Sequence, residues 1–176
     1  MTAETLNLYN TVLAVLALVC IAGSMALIVY RMVKGPEAAE LLHPGAIWLA
    51  WLVAAVATVG SLIYSEVVGF VPCRLCWYQR IAMYPLSIVL LVGAIRREAV
   101  VRWYGLPLAL GGLLISIYHY LVQVNPSWEG GSCDPLNPCS ARYVETFGFI
   151  SIPFMAGAGF MVIATLLAFY VKESRE

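Results

Sequence analysis

The chain has 176 residues, of which 62% are hydrophobic and only 11% charged, and its mean hydropathy is +0.86. Soluble domains are about half apolar and a quarter charged, so these values exclude a soluble globular protein and predict an integral membrane protein built as one compact bundle. Ten Lys and Arg balance ten Asp and Glu, and the basic residues form no patch or stripe, which argues against a nucleic-acid partner.

A membrane-crossing helix needs about 20 mainly apolar residues. The first such stretch runs from Leu8 to Tyr30. The segment before it, Met1 to Asn7, contains Glu4 and no Lys or Arg. A cleaved signal wants a positive start and a shorter apolar core, so a retained helix is expected. Arg31 to Gly45, with Gly35-Pro36 and His43-Pro44, reads as a linker. The second span is Ala46 to Tyr64, with Glu66 at its water boundary. Cys73-Arg74-Leu75-Cys76 separates it from the third, Tyr78 to Ile95, which carries Arg80 and Pro85. The fourth, Trp103 to Val122, contains Pro107, Gly111-Gly112 and His119, with Gln123 just beyond it. The most polar stretch of the chain, holding Cys133 and Cys139, precedes the fifth, Ile152 to Val171. Membrane helices tolerate such prolines when neighbours satisfy the freed backbone groups. Trp48, Tyr64, Trp77, Trp103 and Tyr170 near span ends suit interfacial anchoring.

Arg31 and Lys34, then Arg96, Arg97 and Arg102, then Lys172 and Arg175 fall on one side of this alternation, against Arg74, Arg80 and Arg142 on the other. The richer side is expected to be cytoplasmic. This puts the N-terminus and both cysteine pairs outside and the C-terminus inside, where the outer compartment permits disulfides.

Cys-X-X-Cys at the start of a helix meets the positive end of the helix dipole, which favours a thiolate. Only a thiolate attacks a disulfide. Cys76 and Arg80, four residues apart, share a helix face about 6 Å apart along the axis. Arg80 there either snorkels to the boundary or stabilises negative charge beside Cys76. The Cys133–Cys139 loop, with two glycines and two prolines, predicts a mobile, exposed turn able to close a small disulfide ring. That ring is either a target for a docking thiol or a loop staple. His119 and Gln123 are also four apart. By themselves they read as an interfacial polar face beside Tyr118 and Tyr120, and functionally an imidazole there can bond a carbonyl and move protons. Cys20, mid-span, reads as a packing residue.

Pro72-Cys-Arg-Leu-Cys-Trp-Tyr-Gln-Arg-Ile-Ala-Met-Tyr-Pro85 resembles the signature of the disulfide bond formation protein B family. Ile115 to Gln123, Pro138-Cys139-Ser140 and Phe147 to Phe154 extend the likeness, which covers about residues 46–171. The short Cys133 to Cys139 loop is similar to the disulfide bond formation protein C branch of that family. The resemblance implies a four-helix bundle that oxidises an extracytoplasmic thioredoxin-like partner and passes two electrons to a membrane quinone, ubiquinone or menaquinone. It implies that Cys73 and Cys76 form the dithiol next to the quinone, with Cys76 facing the ring. It implies that Cys133 and Cys139 exchange with the partner, Cys133 being attacked, and that Arg80, His119 and Gln123 surround the quinone head group. The chain departs from the pattern by its first span, so residues 1–45 are expected to be an added helix and linker and residues 46–176 the redox bundle. The loop also lacks the insert with an interfacial helix, and Tyr143 to Ile150 is expected on the membrane surface instead.

Two other functions compete. A vitamin K epoxide reductase-like protein has its loop pair before the Cys-X-X-Cys, whereas here it follows. Four thiolates could alternatively hold zinc.

Overall fold

The computed structural model describes residues 2–42, 45–130, 133–134 and 136–171. Lys172 and Arg175 of the orientation argument, and His43-Pro44 of the expected linker, lie outside the described residues. Among the described residues the chain is helical except for turns and two isolated bridges, Asp134–Asn137 and Thr146–Ile150. Its long helices are α1 (Ala3–Lys34), α2 (Ala46–Leu62), α3 (Arg74–Arg96), α4 (Val101–Val124) and α5 (Ile152–Phe169). All five are long and apolar enough to cross a membrane. The fold is thus an all-α multi-pass membrane bundle of four helices with one more at the N-terminus.

The helix α5 is central, packing against α4, α1 and α2, while α3 fills the space between α2 and α4. Leu86 and Leu90 of α3, Ala109 of α4, and Phe160, Ile163, Leu166 and Leu167 of α5 form the buried core. Helices approach closely where a side chain is missing. A β-carbon on Gly112 would overlap the Phe160 ring, so α4 and α5 meet across that glycine. Leu8, Val19, Ile88, Trp103 and Leu114 point outward and are more than half exposed. Such apolar outer faces suit lipid and not water.

Two features of the N-terminal region differ from expectation. The first helix is not confined to Leu8–Tyr30. Thr2 caps it, its Oγ1 accepting the Thr5 N–H at 3.3 Å, and it runs on to Lys34 before Gly35, at φ +63°, ends it. The linker is also ordered as a 3-10 helix, Gly35–Leu41, because Pro36 sits in its first turn, where no backbone donor is needed. Ala38 and Ala39 of that segment are buried.

Three tyrosine hydroxyls tie α1 to the bundle. Tyr9 donates to Gly60 O at 3.1 Å and Tyr64 to Asn10 Oδ1 at 2.8 Å. At the other end Tyr170 donates to Leu27 O at 2.7 Å. The start of α1 therefore lies at the same end of the bundle as the cysteine pairs. Residues 143–150 form a turn closed by Thr146 and Ile150, with Phe147 at φ 54° and Gly148 at φ 77°, and it presents Phe147 and Phe149 outward.

Candidate redox site

Cys73 is the N-cap of α3, and its Sγ accepts the Cys76 N–H at 3.3 Å. The two sulfurs are 2.8 Å apart. The Cys73 thiol is held well below its ordinary range, first by the hydrogen bond from the Cys76 thiol and then by the His119 ring, against the opposing effect of burial. Cys73 is only 3% exposed. Its sulfur therefore faces hydrogen-bond donors inside the protein, while Cys76, on the first turn of α3, reaches a cavity.

His119 is 1% exposed, so it does not belong to the outward polar face that the sequence suggested. Its Nε2 lies 3.6 Å from Cys73 Sγ and 3.1 Å from the Cys139 carbonyl oxygen. Its Nδ1 lies 3.3 Å from Gln79 Oε1. Gln79 in turn donates through Nε2 to Ser116 Oγ at 2.7 Å, and Ser116 donates to Gly112 O at 2.8 Å. This chain of bonds fixes the Gln79 amide so that its oxygen meets the imidazole. Gln123, also buried, donates to Ala141 O at 3.1 Å and so holds the polypeptide just after Cys139.

Cys133 and Cys139 are disulfide-bonded, with Cα atoms 5.9 Å apart. The expectation of an exposed ring holds on one side only. Cys139 is fully buried and packs with Cys73, Leu75 and Val122, whereas Cys133 is partly exposed. The cause is a clasp that sequence reading missed. Asn137 Nδ2 donates to Pro72 O at 3.2 Å and Val71 O at 3.4 Å, and its Oδ1 accepts the Tyr143 hydroxyl at 3.1 Å. The loop is thereby held down on the segment that leads into Cys73. Glu129 braces it from the other side, accepting the Cys139 N–H at 2.6 Å and the Ser140 hydroxyl at 2.8 Å.

A largely apolar cavity of about 270 Å³ opens beside Cys76. Gln79, Arg80, Ser61 and Tyr84 supply its polar edge, and residues of α1, α2 and α5 its apolar walls. Arg80 and Cys76 both line it, as their shared helix face implies. His119 and Gln123 do not line it; they stand among the sulfurs and the loop backbone. The Arg80 guanidinium donates from Nε to Ser61 Oγ and from Nη2 to Ser61 O, both at 3.0 Å, and lies 5.4 Å from the Trp77 ring centre. Ser61 ends just before a π-helical turn, Ile63–Val67, that widens the end of α2. Among the described residues Arg80 forms no ion pair; Glu66 accepts only the Ser65 hydroxyl, at 2.9 Å. Cys20, expected as packing, also reaches the cavity wall.

The donor atoms of Cys73, Cys76 and His119 lie within 4.8 Å of one another, as do those of Glu129, Cys133 and Cys139. Neither group unites the four sulfurs of a tetrathiolate zinc site, and two of the sulfurs are bonded to each other.

Gln79, Ser61, Asn137 and Glu129 had no motif to announce them. Gln79 does sit one turn beyond Cys76 and next to Arg80, and Glu129 is the acidic residue nearest before Cys133. Those proximities are the only sequence signals for either.

The sequence profile of the family described as "Disulfide bond formation protein DsbB" matches residues 44–170. The chain is 49% identical over 127 residues to a probable disulfide formation protein of Oceanobacillus iheyensis, covering 71% of this chain and 88% of that one. It is 43% identical over 131 residues to disulfide bond formation protein C of Bacillus subtilis, covering 74% and 95%. Likeness to a probable disulfide formation protein C 1 of Bacillus anthracis is 40% over 130 residues, covering 73% and 93%. No solved structure matches the chain. With its helical membrane bundle and its two adjoining cysteine pairs, the chain belongs to the disulfide bond formation protein DsbB family and has a membrane disulfide-generating role.

Proposed function

We propose that the protein is a thiol:quinone oxidoreductase, which reoxidises an extracytoplasmic thioredoxin-like oxidase and delivers the electrons to a quinone in the bilayer. The observation that carries this reading is the cavity that joins Cys76 to an unpaired Arg80. A quinone is a flat apolar ring with carbonyl oxygens at its edge. The cavity matches that chemistry, with apolar walls, a guanidinium and an amide at one edge, and a thiol beside them. A bound quinone supplies an acceptor for two electrons and two protons.

The protein's own residues do the rest. A partner thiolate attacks the partly exposed Cys133 Sγ, and the Cys133–Cys139 bond breaks with its electron pair on Cys139. The partner's second thiol closes its own disulfide and leaves Cys133 and Cys139 as thiols. A loop thiolate then attacks an oxidised Cys73–Cys76 bond, re-forming Cys133–Cys139 and leaving Cys73 and Cys76 reduced. The packing of Cys139 against Cys73 supports this handover. His119, which touches both pairs, holds and moves the proton there. Cys76 faces the cavity, and Arg80 stabilises negative charge developing on an acceptor oxygen. Gln123 acts by holding the loop in register. Arg80 is thus proposed for the quinone edge, and His119 and Gln123 for the sulfur side of the same site.

In this reading the cysteine face is extracytoplasmic, the N-terminus lies with it and the C-terminus is cytoplasmic. Residues 1–45 are an added helix and linker, and 46–176 the redox bundle, an assignment supported by the start of the family match at residue 44. The test is reduction of decylubiquinone or menadione by the purified protein with a reduced thioredoxin-like oxidase as donor. Turnover that disappears in Cys76→Ser supports the proposal. One tightly bound zinc per chain, without any quinone reduction, would overturn it.

A further inference from the structure

We infer that α1, which lies outside the family match, is a wall of the quinone cavity and frames a sideways mouth into it from the bilayer. This rests on the quinone reading above. The sequence shows α1 only as an extra span, and an extra span could be a bare anchor. Its contacts indicate otherwise. Leu13, Leu16, Ala17 and Cys20 all line the cavity that holds Cys76 and Arg80. Their spacing of three, four and seven residues puts them on one helical face.

That face is fixed in place. The hydroxyl ties at Tyr9, Asn10 and Leu27 span about 27 Å of helix, close to the roughly 30 Å of a hydrocarbon core. At the outer end α1 and α2 meet tightly, since a β-carbon on Gly60 would stand 3.2 Å from the Tyr9 hydroxyl oxygen and 3.6 Å from Leu13 Cδ1. One to two turns deeper the two helices part. Leu16 on α1 and Leu52 and Val56 on α2 line the cavity and yet are 43%, 51% and 41% exposed. A residue that borders a cavity and also faces outward marks its opening. Here the opening faces the lipid, between two helices, rather than the water at the bundle end. A lipid-dissolved ring enters such a slot without crossing water. The small Ala17 and Cys20 set the depth left for it, and Leu16 stands at its threshold.

The test uses the full-length protein in lipid nanodiscs and a photoreactive azidoquinone, with excess decylubiquinone as competitor and peptide mapping as readout. Competed label on the peptide containing Leu13 to Cys20, along with α2 or α3, is the expected result. Competed label on α2 and α3 alone overturns the α1 wall and leaves the quinone reading standing. If no label anywhere is competed, the quinone reading itself falls. In a second arm Ala17→Trp fills the wall and weakens decylubiquinone binding at least tenfold. Leu16→Trp, at a half-exposed position that packing tolerates, slows quinone association by a similar factor. Unchanged binding by both variants, with helical circular dichroism like wild type, overturns the inference.

Discussion

Cys73 Sγ and His119 Nε2 are 3.6 Å apart, and the same nitrogen is 3.1 Å from the carbonyl oxygen of Cys139. One imidazole thus touches both cysteine pairs. With Nδ1 held against Gln79 Oε1, every neighbour of the ring is an acceptor or a sulfur. A proton on this ring has somewhere to go at each step of an exchange between the pairs.

The first prediction concerns the Cys73 thiol. Its pKa is lowered, chiefly by the Cys76 hydrogen bond and secondarily by His119. A lowered pKa keeps the sulfur deprotonated down to a lower pH, so alkylation of Cys73 should already be fast near neutral pH. Removing a donor raises the pKa and moves the rate–pH profile upward. In a Cys133→Ser/Cys139→Ser background, Cys76→Ala should move it most and His119→Ala less. Stopped-flow alkylation across pH checks the order; coincident profiles would refute the assigned cause.

Arg80→Gln removes the charge but leaves an amide able to reach Ser61. Hydrogen bonds to charged groups contribute about 1.5–3 kcal/mol, so decylubiquinone binding should weaken roughly tenfold or more. Thiol exchange at Cys133 should continue. Equilibrium binding measures the first and a non-reducing gel with the reduced partner the second. Unchanged quinone binding would mean that Arg80 only snorkels.

The difference in exposure between the bonded loop cysteines predicts a trap. Cys139→Ser leaves the accessible Cys133 without its resolving neighbour, so a mixed disulfide between Cys133 and the partner should accumulate. Cys133→Ser should accumulate little, because Cys139 is buried. Mass spectrometry of the adducts distinguishes them, and equal trapping by both would place the entry point elsewhere.

Glu129 binds the Cys139 N–H and the Ser140 hydroxyl together. Glu129→Ala should free this strand of the loop at a cost of about 1–3 kcal/mol for the buried donor left unpaired. In the reduced protein, Cys139 should then react faster with an alkylating reagent. Glu129→Gln, which retains one acceptor oxygen, should restore part of the protection. Equal Cys139 reactivity in all three proteins would show that Glu129 does not hold the loop.

The five spans were legible because hydrophobic length is a one-dimensional property. The shared face of Cys76 and Arg80 was legible because four residues of helix fix it. The surroundings of His119 were not, since its partners come from α3 and from the loop around Cys139, and only packing brings these together. The burial of Cys139 was hidden for the same reason. It depends on Asn137 reaching back to Val71 and Pro72, more than sixty residues away. The linker was misread because Gly-Pro marks a break in α-helix but also opens a 3-10 turn. Sequence showed α1 as an extra span, and only its packing reveals that it reaches the cavity.

The arrangement of the four sulfurs has an electrical consequence. Cys133 is partly open to the water side, Cys76 borders the apolar cavity, and Cys139 and Cys73 between them are 0% and 3% exposed. The series is an insulated wire with one bare terminal at each end. A small dissolved thiol or peroxide reaches only the outer terminal, so it cannot short-circuit the middle contacts.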